Sequence, residues 1–245
     1  MKRKLTYTLL TLTLLVALPL TARADDVTTA DVKRAIDMGI AFLRGQQHGE
    51  GSWVYEGGGG WTPGATALAV YALVHSGVPA HDPAVQRGVA YILQQPLNRT
   101  YIVSLTLIAL AAVDPVQYRA HIERAANWLE DAQLANGQWT YHKMRGGRST
   151  TGDNSNTQFA VLALRDAARA GVKISRSRWS KISAFYRKAQ MRDGGWGYQV
   201  SSTNTYGSMT AAGICGLAIS SRVKQRCPED CGRRKSDKDL EAGIR

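Results

Sequence analysis

Gln133-Leu134-Ala135-Asn136-Gly137-Gln138-Trp139 decides how this chain folds, because its spacing returns as Gln47-x-x-x-Gly51-x-Trp53 and Gln190-x-x-x-Gly194-x-Trp196. Each copy follows a bulky pair at one fixed offset, Trp128-Leu129, Phe42-Leu43 and Phe185-Tyr186. A further copy is degenerate, with Tyr91-Ile92 in place but Pro96, Thr100 and Ile102 at the signature positions. Repetition of this kind marks a stack of like supersecondary units. The glycine permits a tight reversal after a helix C-terminus. The indole buries a large apolar area and needs a partner for its ring N–H. The glutamine can satisfy orphan groups at neighbouring helix ends. The Gln, Gly and Trp triplets therefore read as structural staples rather than catalysts.

Working outward, helix signals are abundant and strand signals scarce. Asp82-Pro83, Asp114-Pro115 and Thr62-Pro63 each place a capping residue before a proline. Ser155-x-x-Gln158 fits a capping box. Ile36, Ile40 and Leu43, and again Ile122, Ala126 and Leu129, follow the helical period. These signals predict outer helices near 29–47, 83–95, 115–133 and 177–190, with partners near 63–77, 100–113, 155–171 and 206–220. The partners around Ala65–Leu73 and Thr210–Ala218 lack a polar stripe, so they expect burial on every side. The outer helices carry charge, as in Lys33-Arg34, Glu123-Arg124 and Arg187-Lys188. Two concentric layers of helices follow.

The chain begins with Lys2, Arg3 and Lys4, an apolar stretch from Leu9 to Leu20, and the small-residue site Ala22-Arg23-Ala24. That is the pattern of a secretory signal over 1–24, and the apolar run is short for a spanning helix. Export to the periplasm or beyond is expected, leaving one domain over 25–245 with no stable membrane span. The net charge of +12 falls to +8 once Lys2, Arg3, Lys4 and Arg23 are removed. It is spread along the chain instead of forming the basic, aromatic-laced face that nucleic acid requires. Cys215, Cys227 and Cys231 are the three cysteines. A Cys227–Cys231 disulfide would suit an exported protein and leave Cys215 as a buried helical thiol; a metal site at Cys-x-x-x-Cys is the alternative. At the other end, Asp237-Lys238-Asp239-Leu240-Glu241-Ala242-Gly243-Ile244 matches the lead-in to Phe42 in the first outer helix. The chain thus reads as four helix pairs plus the start of a fifth, incomplete at its C-terminus, and an open repeat edge of that kind exposes apolar surface.

The Q-x-x-x-G-x-W signature with its upstream aromatic–aliphatic pair resembles the repeat of squalene–hopene cyclases, oxidosqualene cyclases and protein prenyltransferase β-subunits. The segments Gly152–Ala160 and Tyr206–Gly213 look like those of bacterial prenyltransferase/squalene-oxidase-repeat proteins. The resemblance spans about 29–245 and implies an all-α, α/α toroid, with inner helices around a central cavity. An isoprenoid, lipid or polymer ligand, a protein partner or further repeats are expected as partners, and no cofactor is expected. The aspartate cluster D-x-D-D of the cyclases has no match; Asp153 stands alone, and Asp237-x-Asp239 lies on the tail. Where the prenyltransferases place a zinc-ligand histidine, this chain has Asn156. No metal ligands are assigned.

In such a toroid the inner-helix N-termini converge on one mouth of the cavity, where free N–H groups favour polar ligands. The polar segments entering those helices carry the candidate site. Asp153 reads as an acid or base, or else as a helix cap like Asp82 and Asp114. Trp61, Tyr101, Asn154, Asn156 and Tyr206 read as ligand-binding residues, with His142 on a 140–154 loop that could form a lid. The Gly57–Gly60 run lacks the lysine and hydroxyl of a phosphate loop. Asn98-Arg99-Thr100 is a glycosylation sequon by pattern, meaningful only in a eukaryotic secretory host. A non-catalytic binding scaffold and an exported cyclase- or prenyltransferase-like enzyme are the two leading functions, with a glycan-acting enzyme or a thioester-type binding domain on the same toroid also open.

Overall fold

A computed structural model describes residues 27–57, 60–143, 151–224 and 237–244, with side chains to 221 in the third stretch. The expected signal over 1–24, the Cys227–Cys231 pair and much of the expected lid lie outside the described residues. Within them the chain is all-helical: α1 Thr29–Gln46, α2 Thr62–His75, α3 Pro83–Leu93, α4 Thr100–Val113, α5 Arg119–Ala132, α6 Asn154–Arg169, α7 Arg176–Ala189, α8 Gly207–Lys224 and α9 Lys238–Ile244. The one β-type pairing described is the isolated bridge between Trp139 and Asp153.

Even-numbered helices form one row, α2 against α4, α4 against α6 and α6 against α8. The odd-numbered helices back that row: α3 on α2, α5 on α4 and α6, α7 and α9 on α8. The core lies between the two layers. Leu73, Leu107, Leu110 and Leu164 of the inner row meet Ile92, Ile122, Leu129 and Ile182 of the outer helices, all fully or almost fully buried. Helix α1 is the exception: it buries none of its residues, lies sparsely against α2 and reaches the start of α3 through the Arg44–Asp82 pair.

Each signature builds the same joint. Gly51, Gly137 and Gly194 adopt φ of 97, 96 and 85°, a left-handed conformation that costs glycine little. The Trp53, Trp139 and Trp196 ring nitrogens donate to the Leu43, Leu129 and Tyr186 carbonyls at 2.7, 2.8 and 2.8 Å, all in the last turn of the preceding helix. Gln47 Nε2 bridges the carbonyls of Gly51 and Ala84, and Gln190 Nε2 those of Gly194 and Asp239. Gln133 Nε2 donates to Gly137 and reaches Arg178 at 3.5 Å. The glutamine therefore ties each turn to the first turn of the next outer helix.

The structure moves several expected helix starts. Asp82 caps α3 as expected, accepting from Ala84 N at 2.9 Å. Asp114 instead accepts from Val116 N and Gln117 N to hold a separate turn, so α5 begins at Arg119 rather than near 115. Thr62 lies inside α2, whose N-cap is Trp61 without a side-chain bond. The cap of α6 is Asp153, not Ser155, because its carboxylate accepts from Asn156 N and starts the helix two positions earlier. Cys215 is exposed on α8, against the expectation of a buried thiol.

Candidate functional site

The N-terminal ends of α2, α4 and α6 meet, and aromatic rings fill the junction. Trp61, capping α2, stands edge-on to Tyr101 of α4 and to Tyr141, each with centroids 6.1 Å apart. Tyr101 lies 5.9 Å from Tyr141 and 4.9 Å from Phe159 of α6. The Arg99 guanidinium sits 4.5 Å from the Trp61 ring centroid, a cation–π distance that pins the indole from outside. Tyr101 donates to Ser155 Oγ at 2.5 Å, tying α4 to α6. The result is a groove of about 440 Å³ with walls of Tyr55, Trp61, Tyr101 and Tyr141 and a floor of Gly64, Ala65, Leu68 and Leu105. Leu68 is half exposed although it belongs to the inner row, so the floor is apolar and open.

Two phenols in and beside the groove, Tyr101 and Tyr198, are held neutral. Burial pushes the Tyr101 hydroxyl up, more than its bond to Ser155 draws it down. Burial also raises Tyr198, whose hydroxyl shares a 3.1 Å hydrogen bond with Tyr141. An aromatic wall over an apolar floor favours flat or hydrocarbon ligands.

Asp153 lies beside this groove, buried, with both carboxylate oxygens engaged. Oδ1 accepts from Asn156 N at 2.7 Å and Oδ2 from Asn156 Nδ2 at 2.8 Å. Its backbone joins Trp139 O, and its carbonyl accepts from Thr157 Oγ1 at 2.6 Å. Thr157 Oγ1 in turn accepts from Trp139 N at 3.1 Å, so the cap and the signature turn form one unit. Asn154 Nδ2 donates to Gly197 O at 2.6 Å. The remaining amide oxygens, Asn154 Oδ1 and Asn156 Oδ1, are buried without a hydrogen-bond partner among the described residues. Such acceptors call for a donor from water or ligand.

The expected site residues therefore divide. Trp61 and Tyr101 share the groove; Asp153, Asn154 and Asn156 form the polar shelf at the start of α6. Tyr206 is exposed where α8 begins, its carbonyl accepting from Thr210 N at 3.0 Å. His142 is exposed outside the groove lining, with Nδ1 3.4 Å from Asn98 O. Among the described residues no three His, Cys, Asp or Glu side chains converge as a metal set would. Nor is any described helix long and apolar enough to cross a membrane.

Sequence reasoning passed over Tyr55, Tyr141 and Tyr198. A signal for them exists: each stands two residues after a signature tryptophan, as Trp53-Val54-Tyr55, Trp139-Thr140-Tyr141 and Trp196-Gly197-Tyr198. The repeat is better written Q-x-x-x-G-x-W-x-Y. Its tryptophan points into the joint, and two of its three tyrosines wall the groove.

No protein-family model matches the chain. A stretch of 129 residues is 26% identical to a protein described as a probable squalene–hopene cyclase of Sinorhizobium fredii. The match covers 43% of this chain and 20% of that protein. With the all-helical architecture, the likeness fits the terpenoid cyclase superfamily.

Proposed function

We propose that this chain is an exported α/α-toroid repeat domain whose aromatic mouth binds an apolar ligand of the isoprenoid or lipid class, without acid catalysis of its own. The row α2, α4, α6, α8 and its backing layer support the toroid, and the leader-like 1–24 supports export. One observation carries the binding role: an open apolar floor enclosed by Tyr55, Trp61, Tyr101 and Tyr141, beside an aspartate whose oxygens are both taken. A hydrocarbon chain would lie on Leu68 and Leu105 between the aromatic walls. Titrating the purified protein with farnesol and geranylgeraniol, and following tryptophan emission, tests this. Saturable binding that Trp61→Ala and Leu68→Glu remove and Asp153→Asn spares supports the scaffold. Absence of saturable binding sinks it.

The likeness to a probable squalene–hopene cyclase favours a second reading, an exported enzyme acting on isoprenoids with Asp153 as its acid. Incubation with squalene and with prenyl diphosphates, followed by product analysis, separates the two. Product formed by the parent and lost in a folded Asp153→Asn variant would replace the scaffold with the enzyme.

A further inference from the structure

The joint between repeats is made three times within the chain, and its receiving side is always the same stretch of an outer helix. On α3 the carbonyl of Ala84 accepts the glutamine, and three residues later Arg87 presses its backbone against Gly51. On α7 the pair is Arg178 and Lys181, against Gly137; on α9 it is Asp239 and Ala242, against Gly194. In α3 and α7 the first of these lies seven residues before the aromatic of the bulky pair, Tyr91 or Phe185. Counting back from Phe42 gives Ala35 and Met38 on α1. Helix α1 thus carries a receiving side in the same register, and no turn among the described residues occupies it.

The residue after the second contact sharpens the comparison. A Cβ added at Gly88 would lie 2.5 Å from Val70 and 3.0 Å from the Trp53 ring, and one at Gly243 would lie 2.8 Å from the Trp196 ring. These two glycines let a signature indole lie against the helix, while at the middle joint the same position is the buried Ile182. Gly39 holds that position on α1, and a Cβ there would meet nothing within 4 Å. Around it Met38 is 68% and Phe42 66% exposed, with Ile36 also exposed, whereas Phe185 at the Phe42 position is buried. The helix keeps a glycine where an indole packs and leaves its apolar neighbours in water.

We infer that α1 of one copy seats on the Gln190–Trp196 turn of a second copy, in the place α9 takes, so that the chain associates head to tail. The two helices are near copies in this stretch: Arg34-Ala35-Ile36-Asp37-Met38-Gly39-Ile40 against Lys238-Asp239-Leu240-Glu241-Ala242-Gly243-Ile244. Gln190 Nε2 would donate to Ala35 O, and the Trp196 ring would cover Gly39. This pairing is heterologous, so it continues into larger assemblies unless the geometry closes. It extends the repeat array between molecules and rests on the repeat joints, not on the ligand proposed for the mouth.

Charge at the edge of the seat distinguishes this contact from nonspecific clustering. Arg44 pairs with Asp82 at the first joint, and Arg187 with Asp237 at the last. Lys33 stands at the position of Asp82 and Asp237, so the intermolecular joint sets Lys33 beside Arg187. Lys33→Asp therefore restores the arginine–aspartate pair found at the first and last of the three joints and tightens association about threefold. Gly39→Leu lies in open space on the single copy, yet in the seat its side chain collides with the Trp196 ring and weakens association about tenfold or more.

Analytical ultracentrifugation of the purified chain over a wide concentration range tests the inference, with hydrogen exchange on α9 as a second reading. The expected result is concentration-dependent assembly, lost in Gly39→Leu and tightened in Lys33→Asp, with α9 amides exchanging faster as assembly proceeds. A chain that stays a single copy at every concentration overturns it. So does assembly that either variant leaves unchanged, as association through the apolar stretch 9–20 would be.

Discussion

Trp139 donates its ring N–H to the carbonyl of Leu129 at 2.8 Å, filling a last-turn acceptor that α5 cannot satisfy by itself. The indole is fully buried, so one side chain both fills the core and closes the helix end. Trp139→Ala is expected to destabilise the chain by about 3–5 kcal/mol, and Trp139→Phe by about 1–3 kcal/mol through the orphaned carbonyl. Trp53 makes the same bond to Leu43 at the sparsely covered α1 edge, so Trp53→Ala should cost less than Trp139→Ala. Urea unfolding followed by circular dichroism measures the order; a larger loss at Trp53 would contradict it.

Two glycines, one in a signature turn and one inside a helix, should respond with opposite signs. Gly137 has φ of 96°, and an added Cβ would lie 2.5 Å from the Lys181 carbonyl, so Gly137→Ala strains both backbone and joint. A loss of at least about 1–2 kcal/mol is expected. Gly39 is interior to α1 with open space around it, so Gly39→Ala should stabilise by about 0.5–1 kcal/mol at dilution. Thermal denaturation of both variants at low concentration checks the sign of each.

The helix layers were legible in the sequence because Gln, Gly and Trp each do one local job that spacing alone reveals. Gln47 and Gly51 are four apart because one amide spans a single turn, and this holds wherever the turn recurs. The cap of α6 was less legible, since Asp153 and Ser155 are both good caps and only the reach of the carboxylate to Asn156 N chooses between them. Asp114 misled because an acid before proline nucleates a lone turn as readily as a helix. The groove was half legible: Trp61 and Tyr101 stand at inner-helix starts. Tyr141 depends on the path taken after Trp139, and Leu68 on which face of an all-apolar helix is left open, which no periodicity marks.

Asp153 provides a prediction about chemistry as well as stability. Asp153→Ala removes the acceptor for Asn156 N, so α6 should lose about 1–2 kcal/mol. Asp153→Asn keeps a capping oxygen. The Asn156 amide can turn to offer its unpartnered Oδ1 to the new NH₂ group, so the loss should stay under about 1 kcal/mol. Denaturation curves for the pair check this; an Asn variant as weak as the Ala variant would mean the negative charge itself holds the site.

The last joint should be sensitive to acid. Arg187 Nη2 lies 2.5 Å from Asp237 Oδ2, and a second guanidinium nitrogen bonds Asp239. The Arg187 hydrogen bond holds the Asp237 carboxyl below its ordinary value of 3.8, while Arg187 is raised. A carboxyl depressed in the folded state adds stability at pH above its unfolded value, and that gain is lost as pH falls through the folded value. Seating of α9 should therefore be constant near neutrality and weaken once pH drops below 3.8. The pair is largely solvated, so the change should be modest and reduced by salt. Asp237→Asn should remove the acid step at every salt concentration. Hydrogen exchange at Leu240 and Glu241, corrected for the intrinsic pH dependence of exchange, reads it out; identical α9 protection in parent and variant across the acid range would show that Gln190 and Gly194 alone hold the helix.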